Sequence, residues 1–184
     1  TGGLASNYQV PALSNSTAPV TINAATLTPT VSNTGVTKVY DAGTSAPSGF
    51  TPTYTYSGLV SGDTSATLSN SAATYDSTHA GQATKVTVSG LSITGVTGSN
   101  GSLPTDYVLN STSKDVSAAI TAATLIPTVS NTGVTKVYDA GTSAPTGFTP
   151  TYTYSGLVSG DTSATLSNTG TAYNDANVSQ ANKV

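Results

Sequence analysis

Residues Ala24–Asn70, AATLTPTVSNTGVTKVYDAGTSAPSGFTPTYTYSGLVSGDTSATLSN, return as Ala122–Asn168 exactly in phase, 98 residues later. Only Thr28/Ile126 and Ser48/Thr146 differ between the two stretches. The spacing exceeds the roughly 20–50 residues of a solenoid coil and suits one small β-domain. The chain is therefore expected to be a tandem array of like modules. Two nearly identical neighbours suggest a structural or adhesive role more readily than a catalytic one.

Within the repeat, short strand signatures alternate with turn residues. Thr53-Tyr54-Thr55-Tyr56-Ser57 alternates β-branched and aromatic side chains, the pattern of a half-buried strand. Working outward from it, strands are predicted at Thr26–Val31, Thr37–Tyr40, Ala66–Ser69, Lys85–Val88, Leu91–Ile93, Tyr107–Leu109 and Ala118–Thr121. Asn33-Thr34-Gly35, Asp41-Ala42-Gly43 and Ser61-Gly62-Asp63 carry the turn chemistry between them. No segment holds apolar residues at i, i+3, i+4 and i+7 over three turns, which argues against helices. The predicted fold is all-β: small sandwich modules, immunoglobulin-like or β-grasp-like, in an elongated array. Period-two alternation points Tyr54 and Tyr56 toward a core shared with Val39, Leu59, Leu68, Val86, Val88, Leu91 and Ile93.

The repeat also divides the chain. Residues 24–121 form a complete module, and residues 122–184 a second copy that stops short of its last strands. Residues 1–23 resemble closing strands, since Asn7-Tyr8-Gln9-Val10 and Val20-Thr21-Ile22-Asn23 echo Asp106-Tyr107-Val108-Leu109 and Ala119-Ile120-Thr121. They are read as the end of a preceding repeat, or as a donor strand that completes another molecule's second copy.

Composition excludes several classes. The 184 residues have 7% charged side chains, a net charge of −3 and no Cys, Met or Trp, against about 25% charged residues in ordinary domains. All eight acids are Asp and all five cations are Lys. Five scattered lysines make no basic patch for nucleic acid. No apolar run approaches the roughly 20 residues of a membrane span. Modest net charge, ten tyrosines and regular strand patterning favour folding over disorder.

Lys38-Val39-Tyr40-Asp41-Ala42-Gly43-Thr44 and Lys136-Val137-Tyr138-Asp139-Ala140-Gly141-Thr142 are followed by Ser-Gly-Leu-Val-Ser-Gly-Asp and, in the first copy, by Val-Thr-Val-Ser-Gly-Leu. This series resembles the YDG/MBG repeat modules of large bacterial surface proteins, filamentous-haemagglutinin-like adhesins exported by two-partner secretion. The resemblance implies an extracellular all-β stalk module without catalytic activity, on the cell surface or secreted, and names no receptor. One departure stands out: Ala42 and Ala140 precede the glycine, which reads as a turn one residue longer than Tyr-Asp-Gly.

The recurrent residues Tyr40, Asp41, Gly43 and Asp63, with Tyr138, Asp139, Gly141 and Asp161, are therefore read as a structural motif. Each Tyr ends a strand and each Asp accepts backbone N–H groups in a turn. Calcium is the alternative reading of these aspartates, but it takes six to eight oxygens, commonly from several carboxylates, and no Asp-x-Asp cluster occurs; no cofactor is expected. His79, the single histidine, becomes Asn177 in the second copy and is read as a loop residue. Serines lack a base in both copies, so no triad assembles. Thr51, Thr53 and Thr55 form one solvated row. Asn15, Asn100, Asn110 and Asn177 open glycan-like sequons, expected by chance in so Ser/Thr-rich a chain. The copies diverge most at Ser71–Thr84 against Thr169–Asn182, where recognition, if any, is expected. Partners are then neighbouring repeats or identical subunits, with neither nucleic acid nor membrane insertion. The expected role is a spacer in an adhesin that projects a distal binding region for adhesion or biofilm. The alternative is a fibre or sheath subunit that polymerises head-to-tail.

Overall fold

The computed structural model describes residues 2–8 and 20–184. Nine strands occupy the first copy: β1 (Ala25–Val31), β2 (Val36–Val39), β3 (Tyr54–Ser57), β4 (Asp63–Ser69), β5 (Ala72–Tyr75), β6 (Lys85–Ser89), β7 (Ser92–Gly98), β8 (Tyr107–Leu109) and β9 (Ser113–Thr121). A 3-10 turn at Pro104–Asp106 leads into β8. The strands pair as β3-β1-β8, as β2-β9-β6-β5 and as β4-β7. The β1–β8 and β2–β9 pairs are parallel and the others antiparallel. The fold is all-β and sandwich-like with mixed sheets, and its parallel pairs distinguish it from the all-antiparallel immunoglobulin arrangement.

Alternation places the core. In β6, Val86 and Val88 are fully buried while Lys85 is exposed. Across from Val86 on β9 stands Val116, and Ile120 follows four residues later at 2% exposure. Val31, Val36, Tyr75, Ala83 and Leu91 complete the cluster, with Phe50 and Tyr54 packed against it. Burying a branched or aromatic side chain contributes about 1.5–3 kcal/mol, so this one cluster carries much of the first copy's stability.

Two expectations change. Val39 faces solvent at 58% exposure. The period of two puts Val36 and Lys38 inward on β2 and Thr37 and Val39 outward, so the inward position falls to a lysine. The variable stretch Ser71–Thr84 is also more than a recognition loop. It contains β5, and its Tyr75 and Ala83 are buried. The expected inward lean of Tyr54 and Tyr56 leaves both half-buried, with their hydroxyls bonded. Tyr54 donates to Asn70 Oδ1 (2.7 Å) and Tyr56 accepts from the Ala66 amide (2.7 Å).

The second copy forms β10 (Ile126–Val129) and β11 (Tyr152–Ser155), antiparallel in the register of β1 and β3. An asparagine clamps each pair. Asn33 Nδ2 donates to Thr51 O (3.0 Å) and its Oδ1 accepts from Thr53 N (2.6 Å). Asn131 repeats both contacts with Thr149 and Thr151 at 3.1 and 2.6 Å. The stretch Val134–Val137 carries the sequence of β2 without forming a strand. Of the proposed closing strands, Gln9 and Val10 lie outside the described residues, as does the sequon at Asn15, while Val20 and Ile22 are exposed at 87% and 96%.

Candidate functional site

The recurrent motif assembles as a brace around a buried lysine. The Lys38 side chain is 7% exposed; its Nζ bonds Asp41 Oδ1 (2.6 Å) and the Gly43 carbonyl (2.8 Å). It also lies 5.3 Å from the Tyr75 ring centroid, where the ring face attracts a cation. Asp41 Oδ1 accepts the Gly43 amide as well (2.9 Å). The Lys38 bond, and then that amide, hold the Asp41 carboxyl below its ordinary range. Lys136, Asp139, Gly141 and Tyr173 repeat the arrangement at 2.7, 2.7, 2.9 and 5.5 Å. Asp139 is lowered in the same way, by Lys136 first.

Between Asp and Gly, Ala42 and Ala140 adopt φ of 64° and 62°, the left-handed region that suits glycine. Alanine thus stands where the conformation asks for the glycine of a Tyr-Asp-Gly motif. The following residues, Gly43 and Gly141, need no positive φ.

Asp63 sits elsewhere. Its Oδ2 accepts the hydroxyl of Tyr107, which in turn accepts the Val60 amide (3.0 Å). That bond to Asp63, followed by burial, pushes the Tyr107 phenol up. Asp63 Oδ1 is buried with no hydrogen-bond partner among the described residues. The structure therefore separates Asp63 from the Tyr40–Asp41–Gly43 turn. Its counterpart Asp161 is exposed and faces Tyr40 at the boundary of the two copies.

Asp76 braces the loop before β6, a role absent from the sequence-based motif. Its Oδ1 accepts the amides of Thr84 (2.9 Å) and Lys85 (3.2 Å), and its Oδ2 the Thr84 hydroxyl (2.6 Å). Thr84, through hydroxyl and then amide, draws the carboxyl down to about 2. Asn174 holds the same place and accepts from Asn182 N and Lys183 N, both at 3.0 Å. The aligned Asp76/Asn174 pair was the available signal: an acceptor kept while its charge is dropped.

A cavity of about 540 Å³ opens in the second copy among Val129, Phe148, Pro150, Tyr152, Tyr173 and Val184. Of the corresponding residues of the first copy, Val31, Tyr75 and Val86 belong to its core with Val88, Leu91, Val116 and Ile120, and Phe50 and Tyr54 pack against it. The cavity thus has the lining of a core interior. Among the described residues no three His, Cys, Asp or Glu side chains gather as metal ligands, and no helix is long and apolar enough to cross a membrane.

An all-β unit whose recurrent polar residues brace its own turns belongs to the class of structural repeats. Residues 23–114, half of the chain, match the family model of the YDG domain, and the chain belongs to that family. No curated protein and no solved structure matches it.

Proposed function

We propose that the chain is a spacer from a large extracellular bacterial adhesin, with residues 24–121 one complete module and residues 122–184 part of the next. The observation that carries this reading is the pair of near-identical stretches 98 residues apart. Tyr40, Asp41, Gly43 and Asp63, and their counterparts, are structural: the brace around Lys38 recurs bond for bond around Lys136. Asp41 and Gly43, like Asp139 and Gly141, are engaged within their own turns, as residues that hold a fold are. The function is mechanical, and repetition adds length. Chains with one to four concatenated copies, measured by small-angle scattering, are expected to lengthen by a constant few nanometres per copy. Compact particles with no regular increment would overturn the reading.

A second reading, a head-to-tail fibre subunit, draws on one further observation. Ile22, exposed at 96%, aligns with Ile120, which is buried on β9 beside β2. Val134–Val137 has the sequence of β2 and lacks a strand partner among the described residues. Val20–Asn23 of one molecule could pair there in the β2–β9 register. Filaments of uniform width in micrographs of the isolated chain, abolished by Ile22→Asp, would favour the fibre over the spacer.

A further inference from the structure

The two copies meet around Tyr40. Its amide donates to the Thr121 carbonyl (2.8 Å) at the end of β9, where the chain enters the second copy, and its side chain packs at the edge of the first copy's core. It lines a cavity of about 350 Å³, with His79 on its own side and Leu125, Leu157, Val158 and Asp161 across the boundary. The phenol is pushed above its ordinary value, by desolvation first and then by the Asp161 carboxylate. The cavity thus brings the Tyr40 side chain together with aliphatic side chains and one carboxylate, a lining suited to tyrosine's apolar body and polar tip.

Both halves of this contact recur. Leu125, Leu157, Val158 and Asp161 repeat Leu27, Leu59, Val60 and Asp63 without change, and Tyr138 repeats Tyr40. The same valine can be compared in two settings. Val60, at the outer end of the first copy, is 49% exposed, whereas Val158, beneath the Tyr40 end, is half-buried.

We propose that Tyr40 is a joint residue: seated on Leu157, Val158 and Asp161, it fixes the angle between one copy and the next. The partner it fits is the following copy of the same repeat. The inference rests on the spacer reading, because only an array presents successive copies to one another. Thr121 to Leu125 alone would tether the copies through a few soft backbone dihedrals. A second contact away from that tether restrains bending, and the recurrence of Leu59, Val60 and Tyr138 supplies the same apolar side chains and tyrosine to other boundaries.

The cysteine-free chain permits a direct test. Spin labels on cysteines introduced at the exposed Thr55 and Thr153 report the distance between β3 and β11 in the full chain. A single narrow distribution is expected. Tyr40→Ala and Val158→Lys are expected to broaden it, and Tyr40→Phe to broaden it less because the ring remains. Val60→Lys, the same change on the matching residue away from the joint, is expected to leave it narrow. Circular dichroism on each variant separates loss of the joint from loss of the fold, and Val158→Lys leaves the first copy's core intact. The proposal is overturned if Val158→Lys leaves the distribution narrow, or if Val60→Lys broadens it equally. That failure would leave the length increment per copy unaffected, so it is distinguishable from failure of the spacer reading.

Discussion

Val36-Thr37-Lys38-Val39 is a strand, and Val134-Thr135-Lys136-Val137, letter for letter the same, is not. The first lies against β9, Val36 opposite Ala118 and Lys38 opposite Ile120, a partner some eighty residues away. Among the described residues no counterpart of β9 stands beside the second. By contrast, the β10–β11 pair, the Asn131 clamp and the Lys136 brace all form as in the first copy. Their partners stand within about forty residues along the chain, and closing a short loop costs less entropy than closing a long one. Strand structure here belongs to the pair rather than to the four residues, while the turns are complete in themselves.

The largest expected effect falls on the distant half of that contrast. Ile120→Ala removes a side chain that is 2% exposed, and a buried Ile→Ala change costs about 2–5 kcal/mol. Ile126→Ala, at 60% exposure, should stay within about 0.5 kcal/mol. Urea unfolding of both variants checks this. An unchanged midpoint for Ile120→Ala would break the claim that β2 depends on β9.

The local half is tested at the brace. Lys38→Ala leaves the part-buried Gly43 carbonyl without its partner and should lower the urea midpoint. It should also return the Asp41 carboxyl toward its ordinary range, because Lys38 is the leading cause of its depression. Carboxyl titration by NMR reads this shift directly, and an Asp41 that keeps its low value would refute the assignment.

A smaller, stabilising effect is expected from Ala42→Gly. Relief of the left-handed conformation is worth about 1–2 kcal/mol, partly offset by about 0.4–1 kcal/mol of added freedom in the unfolded chain. A net gain of roughly 0.5–1 kcal/mol should appear as a raised thermal midpoint. Ala140→Gly should act likewise on the second copy, since its φ is nearly the same.

The smallest effect is confined to acid. Asp76 falls to about 2 in the folded chain from about 3.9 when unfolded. Its contribution is thus fully present above the unfolded value and is lost as pH falls toward about 2. Asp76→Asn, which copies Asn174, keeps the amide acceptor and removes the charge. Stability measured from pH 5 to 2 should decline less steeply in the variant. An identical slope would show that Asp76 carries no folded-state proton linkage.

Much was legible without coordinates, for reasons that individual residues show. Thr53 to Ser57 betrayed β3 because alternation is a property of neighbours, and Asp41 and Gly43 betrayed a turn because their chemistry is local. Val39 was misjudged because hydrophobicity alone does not tell which phase of an alternation faces inward. Lys38 takes the inner place, since its charge is met by Asp41, the Gly43 carbonyl and the face of the Tyr75 ring. Ala42 concealed its role because a positive φ leaves no mark when alanine replaces glycine. Asp63 was grouped with Tyr40 and Asp41 by recurrence, although its hydroxyl partner, Tyr107, lies 44 residues away.

By itself, then, the sequence determined the all-β character, the repeat, the turns and the family, because each depends on residues near one another or on one stretch copied from another. Tertiary structure decided which face of β2 turns inward, which pairs of strands run parallel, and which of two identical segments becomes a strand. Those outcomes depend on contacts between residues far apart in the chain, whose burial must outweigh the entropy of bringing them together.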